Sequence, residues 1–463
     1  MKFSISFLLF LSFAHSLFAQ TNVSILKADE LIGRNTPSGQ VRVLRGNVKL
    51  KIEKNELRSD SALHFLDRNE IRAYGNVFIQ NEEDKIWADS AIYNADTDLS
   101  FFYGNLLIER DSSKLFSTRA SYSFPQKTSY FTAPFQLEDT QGILKADRGI
   151  YFHENDSASF RGNVQVVDST LFVEADSLLG NRKAKLYELF NNVYAFDGKN
   201  NSYVTAEYVY IDSSGQRLMR ENALLIKVDS AKADTISIRG KKIFYQENKD
   251  STFSFEAFGK VQIFSKDFSS FSDSAEYDSK TERFELESNA FAWNKKLQLS
   301  APNIIIQAED DTIRTIHAFP QPFAVQVDSI SGRFQQMRGD SLWSDFEKGS
   351  LKQVRYTPNA AVAFFTNNDK DEPDGLMVVH SLQVIMSFIE GELTDMNATE
   401  DVKATYSEEK SGVELYQLNG FIWKPELRPQ KPVFPVSQKQ KPEIIPFSKY
   451  PKHHPEYKKP IKK

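Results

Sequence analysis

Aspartate recurs at one point of a repeated motif, as Asp60, Asp89, Asp147, Asp176 and Asp273. A row of carboxylates at a fixed step could line a groove, hold a divalent cation or trade protons with a substrate. The same residue also has a structural use. Asp followed by Ser within a strand unit bonds its side chain to nearby backbone at a bend, and the strict alternation of the flanking positions breaks at these aspartates. That second reading explains both the residue type and the interrupted pattern, so no chemistry is assigned to the row.

Other reactive groups are sparse. The seven histidines are His15, His64, His153, His317, His380 and the terminal pair His453 and His454. Outside that pair none sit at ligand spacing, and neither His-Glu-x-x-His nor Gly-x-Ser-x-Gly occurs. Without cysteine there is no disulfide, thiolate metal site or cysteine nucleophile. Asp369, Asp371 and Asp374 begin like a calcium loop, but Pro373 takes the fifth position and His380 stands where the bidentate Glu belongs, so Asn367 to Gly375 reads as a polar surface loop. Tyr93, Tyr122 and Tyr151 fit core packing better than a ligand platform. The expectation is a protein with no catalytic residues, no metal site and no cofactor.

The elements that carry these residues repeat. Gly46-Asn47-Val48, Gly75-Asn76-Val77, Gly104-Asn105-Leu106, Gly162-Asn163-Val164 and Asn191-Asn192-Val193 are separated by 29 residues or twice that, with Ala133-Pro134-Phe135 filling the gap. The aspartate motif keeps the same step, through Ser59-Asp60-Ser61-Ala62, Ala88-Asp89-Ser90-Ala91, Ser117-Thr118-Arg119-Ala120, Ala146-Asp147-Arg148-Gly149 and Ala175-Asp176-Ser177-Leu178. Aligned units give an aliphatic column of Leu57, Ile86, Leu115, Leu144 and Val173, then a small column of Ser59, Ala88, Ser117, Ala146 and Ala175. Between them Arg58, Trp87, Phe116, Lys145 and Glu174 vary freely. Constraint at every second position is the period of a strand, with the constrained columns inward and the variable one outward. Val48/Leu50, Val77/Ile79, Leu106/Ile108, Phe135/Leu137 and Val164/Val166 alternate in the same way on the other half of the unit. Each unit is therefore two strands and two turns, and units must stack to close a core. Small inward residues leave room, which either closes by approach of the two sheets or takes an apolar ligand.

Beyond residue 300 the step lengthens to about 40, as Ser341-Leu342 and Phe346 to Leu351 are echoed by Ser381-Leu382 and Phe388 to Leu393. An insertion near Ala231 to Lys241 interrupts the array. The two ends differ in composition. Lys2, the apolar run Phe3 to Phe13 and Leu17-Phe18-Ala19-Gln20 read as a secretory signal, residues 1–19, with cleavage expected after Ala19, an uncleaved membrane anchor being the competing reading. Lys424 to Lys463 holds nine of the 17 prolines and ten Lys plus one Arg against three Glu, which marks residues 424–463 as an extended, disordered, solvated basic tail. For the whole chain, 57 Lys+Arg against 62 Asp+Glu gives no basic footprint for nucleic acid.

Exported repeats carrying Gly-Asn-Val and Ala88-Asp89-Ser90-Ala91-Ile92-Tyr93 resemble the OstA/LptA family of periplasmic lipopolysaccharide-transport proteins, most clearly over Gly46 to Phe196. The resemblance implies an all-β, elongated, open β-jellyroll built from 29-residue two-strand units, residues 20–299, continuing as 40-residue units over 300–423. It implies a periplasmic, outer-membrane-associated bridge that binds lipopolysaccharide or a related acylated glycolipid. Partners would be other β-jellyroll transport proteins, stacked edge to edge, and an outer-membrane translocon. The acyl groove would be lined by Val48, Leu50, Leu57, Ser59, Val77, Ile79, Ile86, Ala88, Leu106, Ile108, Leu115, Ser117, Leu144, Ala146, Val173 and Ala175. The chain is longer than a single-module bridge protein, and a basic tail stands where the translocon of that family has a β-barrel. Two other classes stay open: a structural or adhesive β-scaffold without lipid, which requires a closed core, and a polysaccharide-acting β-solenoid enzyme, which requires charged clusters on one exposed sheet. The free amino-terminal edge is expected at Val41 to Leu50.

Overall fold

The computed structural model describes residues 23–436, apart from 38, 230–233, 249, 251, 267, 295, 311, 329–330, 369–371, 390–391 and 411, together with His454. The expected signal segment and most of the basic tail lie outside these residues. The described residues form 32 β-strands and three short 3-10 turns, so the chain is all-β as its alternating columns require. No helix among them is long and apolar enough to cross a membrane. Two compact units are present, residues 1–140 with 444–463, and residues 141–443. The change of rhythm near residue 300 falls inside the second unit, where the lengthened step predicts longer strands but shorter, split ones are found.

Unit 1 is an antiparallel meander of Gly39–Ile52, Asn55–Phe65, Glu70–Gln80, Asp84–Asn94, Leu99–Arg110 and Ser113–Ser123, each paired with the next. Each pairing slips register halfway, between Arg45 and Val48, Arg58 and Ser61, Tyr74 and Val77, Trp87 and Ser90, and Tyr103 and Leu106. The slips align into a fold line that divides every strand into two limbs. Limb A holds Leu50, Leu57, Ile79 and Ile86; limb B holds Leu44, Ala62, Ala73 and Ala91. Thr128–Phe131 and Phe135–Asp139 are the two halves of one strand broken at the same line. The strand at Val41 to Leu50 is not an edge: Val23–Lys27 and Glu30–Thr36 pair along it, and they carry the exposed Leu26 and Leu31.

Unit 2 repeats the plan from Ser157–Val167 to Leu297–Glu309. The insertion near residue 231 lengthens the hairpin Arg217–Asp229/Asp234–Glu247. After residue 309 each strand is split at the fold line into separate pieces, such as Thr312–Phe319 and Phe323–Val327, or Ser350–Thr357 and Ala360–Asn367. Two split strands make the 40-residue step. The loop expected at Asn367 to Gly375 is shorter than it reads, because Pro373–Ser381 is already strand.

The backbone keeps the sequence period. Asn69, Asp98, Lys127, Asp156 and Lys185 stand 29 residues apart, and all adopt φ between 43° and 55° in the turns that close limb B. Short polar or flexible side chains tolerate that left-handed region best.

Candidate functional site

The two sequence motifs are halves of one corner. Gly46, Gly75, Gly104 and Gly162 have φ between +69° and +87°, and the Asn after Gly46, Gly75 and Gly162 has φ of +47°. A Cβ added to Gly104 would lie 2.2 Å from Asp89 Oδ2, and at Gly75 it would lie 2.4 Å from Asp60 Oδ2. The aspartate of the preceding strand thus folds over the glycine Cα, which only glycine permits. The neighbouring Asn Nδ2 then donates to that carboxylate, as in Asn76 to Asp60 at 2.8 Å, Asn105 to Asp89 at 3.0 Å, Asn163 to Asp147 at 2.9 Å and Asn192 to Asp176 at 2.9 Å. Asn289 and Asp273 repeat it at 2.6 Å. The aspartate row is therefore a line of corner fasteners, with side-chain amides as partners where nearby backbone was expected. Asn47 to Asp29 and Asn359 to Asp340 are two further fasteners, whose aspartates the repeat motif did not mark. Among the described residues no group of three or more His, Asp or Glu could hold a metal ion.

Beside the corners stand the small residues. Val48 faces Ser59 across the ladder, Val77 faces Ala88, Leu106 faces Ser117 and Val164 faces Ala175. At a fold line the two limbs converge, so one member of each pair must be small. Of the sixteen expected groove residues, Val48, Leu50, Leu57, Ser59, Val77, Ile79, Ile86, Ala88, Leu106, Ile108 and Leu115 are buried in unit 1, none more than 6% exposed, and Ser117 is half-buried. Their space is filled by one another and by limb B residues such as Leu44, Ile71 and Phe102.

Unit 1 is also fastened where the limbs end. Arg110 of limb A donates through Nε and Nη2 to both oxygens of Asp84 at 2.6 and 2.7 Å, and Nη2 also donates to the Tyr122 hydroxyl of limb B at 2.9 Å. That hydroxyl donates to Asp84 Oδ2 at 3.1 Å. Burial, with the Asp84 carboxylate beside it, holds the Tyr122 hydroxyl well above the usual phenol range. For Arg110, burial alone would favour loss of the proton, but the paired Asp84 outweighs it and raises the guanidinium further. Tyr93 of limb B donates to Asp98 in the same region.

The first strands of unit 2 differ at the same depth. Next to the corner, Ala146, Val164, Ala175, Val193 and Ala206 are buried. One step further from it, Leu144, Val166, Val173, Ala195, Val204 and Leu225 are only half-buried, as are Ala158, Gly180 and Tyr187 on limb B. Between these strands an inward apolar row is half-buried, next to a buried row at the corner. Past Ile238 aromatic rings fill the interior again, with Phe255 and Phe284 at 6.3 Å and Tyr277 and Phe284 at 6.2 Å.

The variable outward column is only partly solvent-facing. Arg58 is exposed, but Trp87 and Phe116 are buried with Leu107 in an outer-face cluster beside Phe78. His454 stacks edge-on against Trp87 at 4.5 Å and its Nε2 lies 3.2 Å from Glu109 Oε1. In unit 2 the outer face of limb A is covered as well. After the last strand, Lys403–Glu408, the chain turns back, and Val413 and Leu418 pack with Phe323, Val325, Ala361, Ala363 and Phe365. Further along, Arg428 Nε reaches Ser269 Oγ at 3.3 Å and the Phe434 ring lies 5.4 Å from Tyr203. The described part of the basic tail, up to Val436, is thus seated on unit 2, unlike the solvated arm that composition suggests. Phe434 makes this apolar contact, while Val433 and Val436 stay exposed. Proline suits this course because the segment crosses the strands and needs no ladder N–H. A signal for the covered face was present in the sequence: Phe323-Ala-Val and Ala360-Ala-Val-Ala-Phe-Phe do not alternate, as expected of strands buried on both faces.

Residues 20–176 match the family model for OstA-like protein. No curated protein matches the chain. Among solved structures the chain is similar to LptH, the LptA-homologous periplasmic component of the lipopolysaccharide transport device of Pseudomonas aeruginosa, at 12% identity over 22% of this chain and 76% of that one, with a TM-score of 0.21. Motif spacing, the Gly-Asn/Asp corner and the family match coincide on the same stretch, and the chain carries an OstA-like region over residues 20–176.

Proposed function

We propose that this protein is a non-enzymatic carrier of lipopolysaccharide or a related acylated glycolipid in outer-membrane assembly, working in the periplasm after export. The carrying observation is the inward row of unit 2. Leu144, Val166, Val173, Ala195 and Val204 are apolar and only half-buried where the equivalent residues of unit 1 are sealed, in a protein whose conspicuous carboxylates serve as corner fasteners. An acyl chain laid on that row gains about 0.8 kcal/mol per buried CH₂, enough to hold several chains while sugars and phosphates stay in water. In unit 1 the same columns are filled by protein, so a lipid there would first have to part the limbs at Asp84, Arg110 and Tyr122. Transfer between modules would use free strand edges, and Val23–Thr36 offers one.

Native mass spectrometry of the chain purified from a membrane-containing host tests this reading. A co-purifying acylated glycolipid, lost in Val173→Asp, supports it. Lipid-free protein, together with no capture by a photo-crosslinker at Val173, would favour the structural scaffold.

A further inference from the structure

The segment after the last strand is held by a side-chain device that is used on it twice. Gln298 and Gln336, both buried on the outer face of limb A in unit 2, each read two backbone groups of it. Gln336 Nε2 donates to the Tyr416 carbonyl and its Oε1 accepts from the Leu418 N–H, both at 2.8 Å. Gln298 Nε2 donates to the Ile422 carbonyl at 2.9 Å and its Oε1 accepts from the Lys424 N–H at 2.8 Å. The device is the same twice, a carboxamide matched to residues i and i+2, repeated six residues along the segment. Between the two sites Phe421 lies 5.5 Å from the Phe334 ring and 6.0 Å from Phe323, and Trp423 lies 5.5 Å from Phe334.

Two features separate this segment from the sheet it covers. It adds no strand, and every ladder under it is paired from strand to strand without it. A side-chain amide that satisfies both a carbonyl and an N–H recognises extended main chain whatever side chains flank it, and the aromatic row then selects for apolar ones.

We propose that the outer face of unit 2 is a binding site for an aromatic-rich polypeptide segment, filled in cis by residues 413–436, and that this occupant exchanges without unfolding the sheet. This goes beyond lipid carriage and does not depend on it.

A site-specific protease sequence inserted between Lys410 and Gly412 of the full chain separates the segment while leaving it seated. A fluorescent peptide of residues 413–436 is then added to the cut protein, with a scrambled peptide as control, and followed by anisotropy alongside far-ultraviolet circular dichroism. The expected result is saturable exchange of the labelled peptide, competed by the unlabelled one, with the β signal and melt unchanged. Gln298→Leu with Gln336→Leu should weaken the peptide by about thirtyfold or more, because four backbone groups lose their partners. The proposal is overturned if the folded, cut protein never takes up the peptide, if loss of the segment is accompanied by loss of the β signal, or if the double glutamine variant binds the peptide as tightly as the parent.

Discussion

Replacing Gly104 by alanine should unfasten one corner of unit 1 without altering its interior. The new Cβ would sit 2.2 Å from Asp89 Oδ2 and 2.5 Å from Asp89 Cβ, so the whole aspartate side chain must move. It then gives up its contacts with Asn105, whose backbone N–H and Nδ2 lie 3.1 and 3.0 Å from Asp89 Oδ2. Alanine held at a φ of +87° costs about 1 kcal/mol. The lost hydrogen bonds, being exposed, cost about 0.5–1 kcal/mol together. Gly104→Ala should therefore destabilise unit 1 by about 2 kcal/mol, and Asp89→Ala, which removes only the bonds, by about 0.5–1 kcal/mol.

The double variant separates the two contributions. With Asp89 already gone, alanine at 104 meets no carboxylate, so the double change should cost less than the sum of the singles by about 0.5–1 kcal/mol. Urea unfolding followed by circular dichroism gives the three values, and hydrogen exchange at residues 103–107 reports the corner itself. Lipid capture should be unchanged throughout. A neutral Gly104→Ala with additive singles would refute the fastener. Loss of lipid capture in a fully stable Asp89→Ala would instead give the aspartate row a ligand role.

Ala88→Asp buries an unpaired carboxylate in a filled interior and should cost several kcal/mol, seen as an earlier melt, whereas Arg58→Asp on the exposed face should leave the melt nearly unchanged. Val173→Asp lies in the half-buried inward row, so it should keep the melt and reduce co-purified lipid at least about tenfold; retained lipid would remove Val173 from the acyl site. Tyr122→Phe breaks the bridge between the limbs of unit 1 and should cost about 1.5–3 kcal/mol, with faster hydrogen exchange near Ile86 and Ile108; unchanged exchange would show that packing alone holds the limbs together. Burial lowers the His64 pKa below its ordinary 6.5, Arg42 adds to this and Asn69 opposes it. The unfolded chain then binds the proton that the folded chain refuses, so His64 should leave stability intact above about pH 6.5 and reduce it as pH falls further, by at most about 1.4 kcal/mol per unit. His64→Leu should flatten that decline in urea midpoints; an unaltered pH profile would assign it to other groups.

The repeat, the strand alternation and the corner residues were legible in the sequence because each is a local demand. A left-handed backbone position calls for Gly or Asn, a fold line calls for a small neighbour, and an inward column calls for aliphatic residues wherever the strand lies. Columns do not say how far two limbs stand apart. Leu57, Ile86 and Leu115 share one column with Leu144 and Val173, yet the first three are sealed and the last two are only half-buried. Part of that difference comes from Asp84, Arg110 and Tyr122, which lie up to 38 residues apart in sequence and meet only across the interior. Nor does alternation reveal what covers the other face. Trp87 and Phe116 read as outward residues and are outward, but the aromatic row beneath His454 buries them. The seat of the carboxy-terminal segment depends on pairs such as Gln298 with Ile422, 124 residues apart. Only the folded sheet brings such residues within hydrogen-bond range, because the short bonds that satisfy each buried carboxamide come from the returning chain.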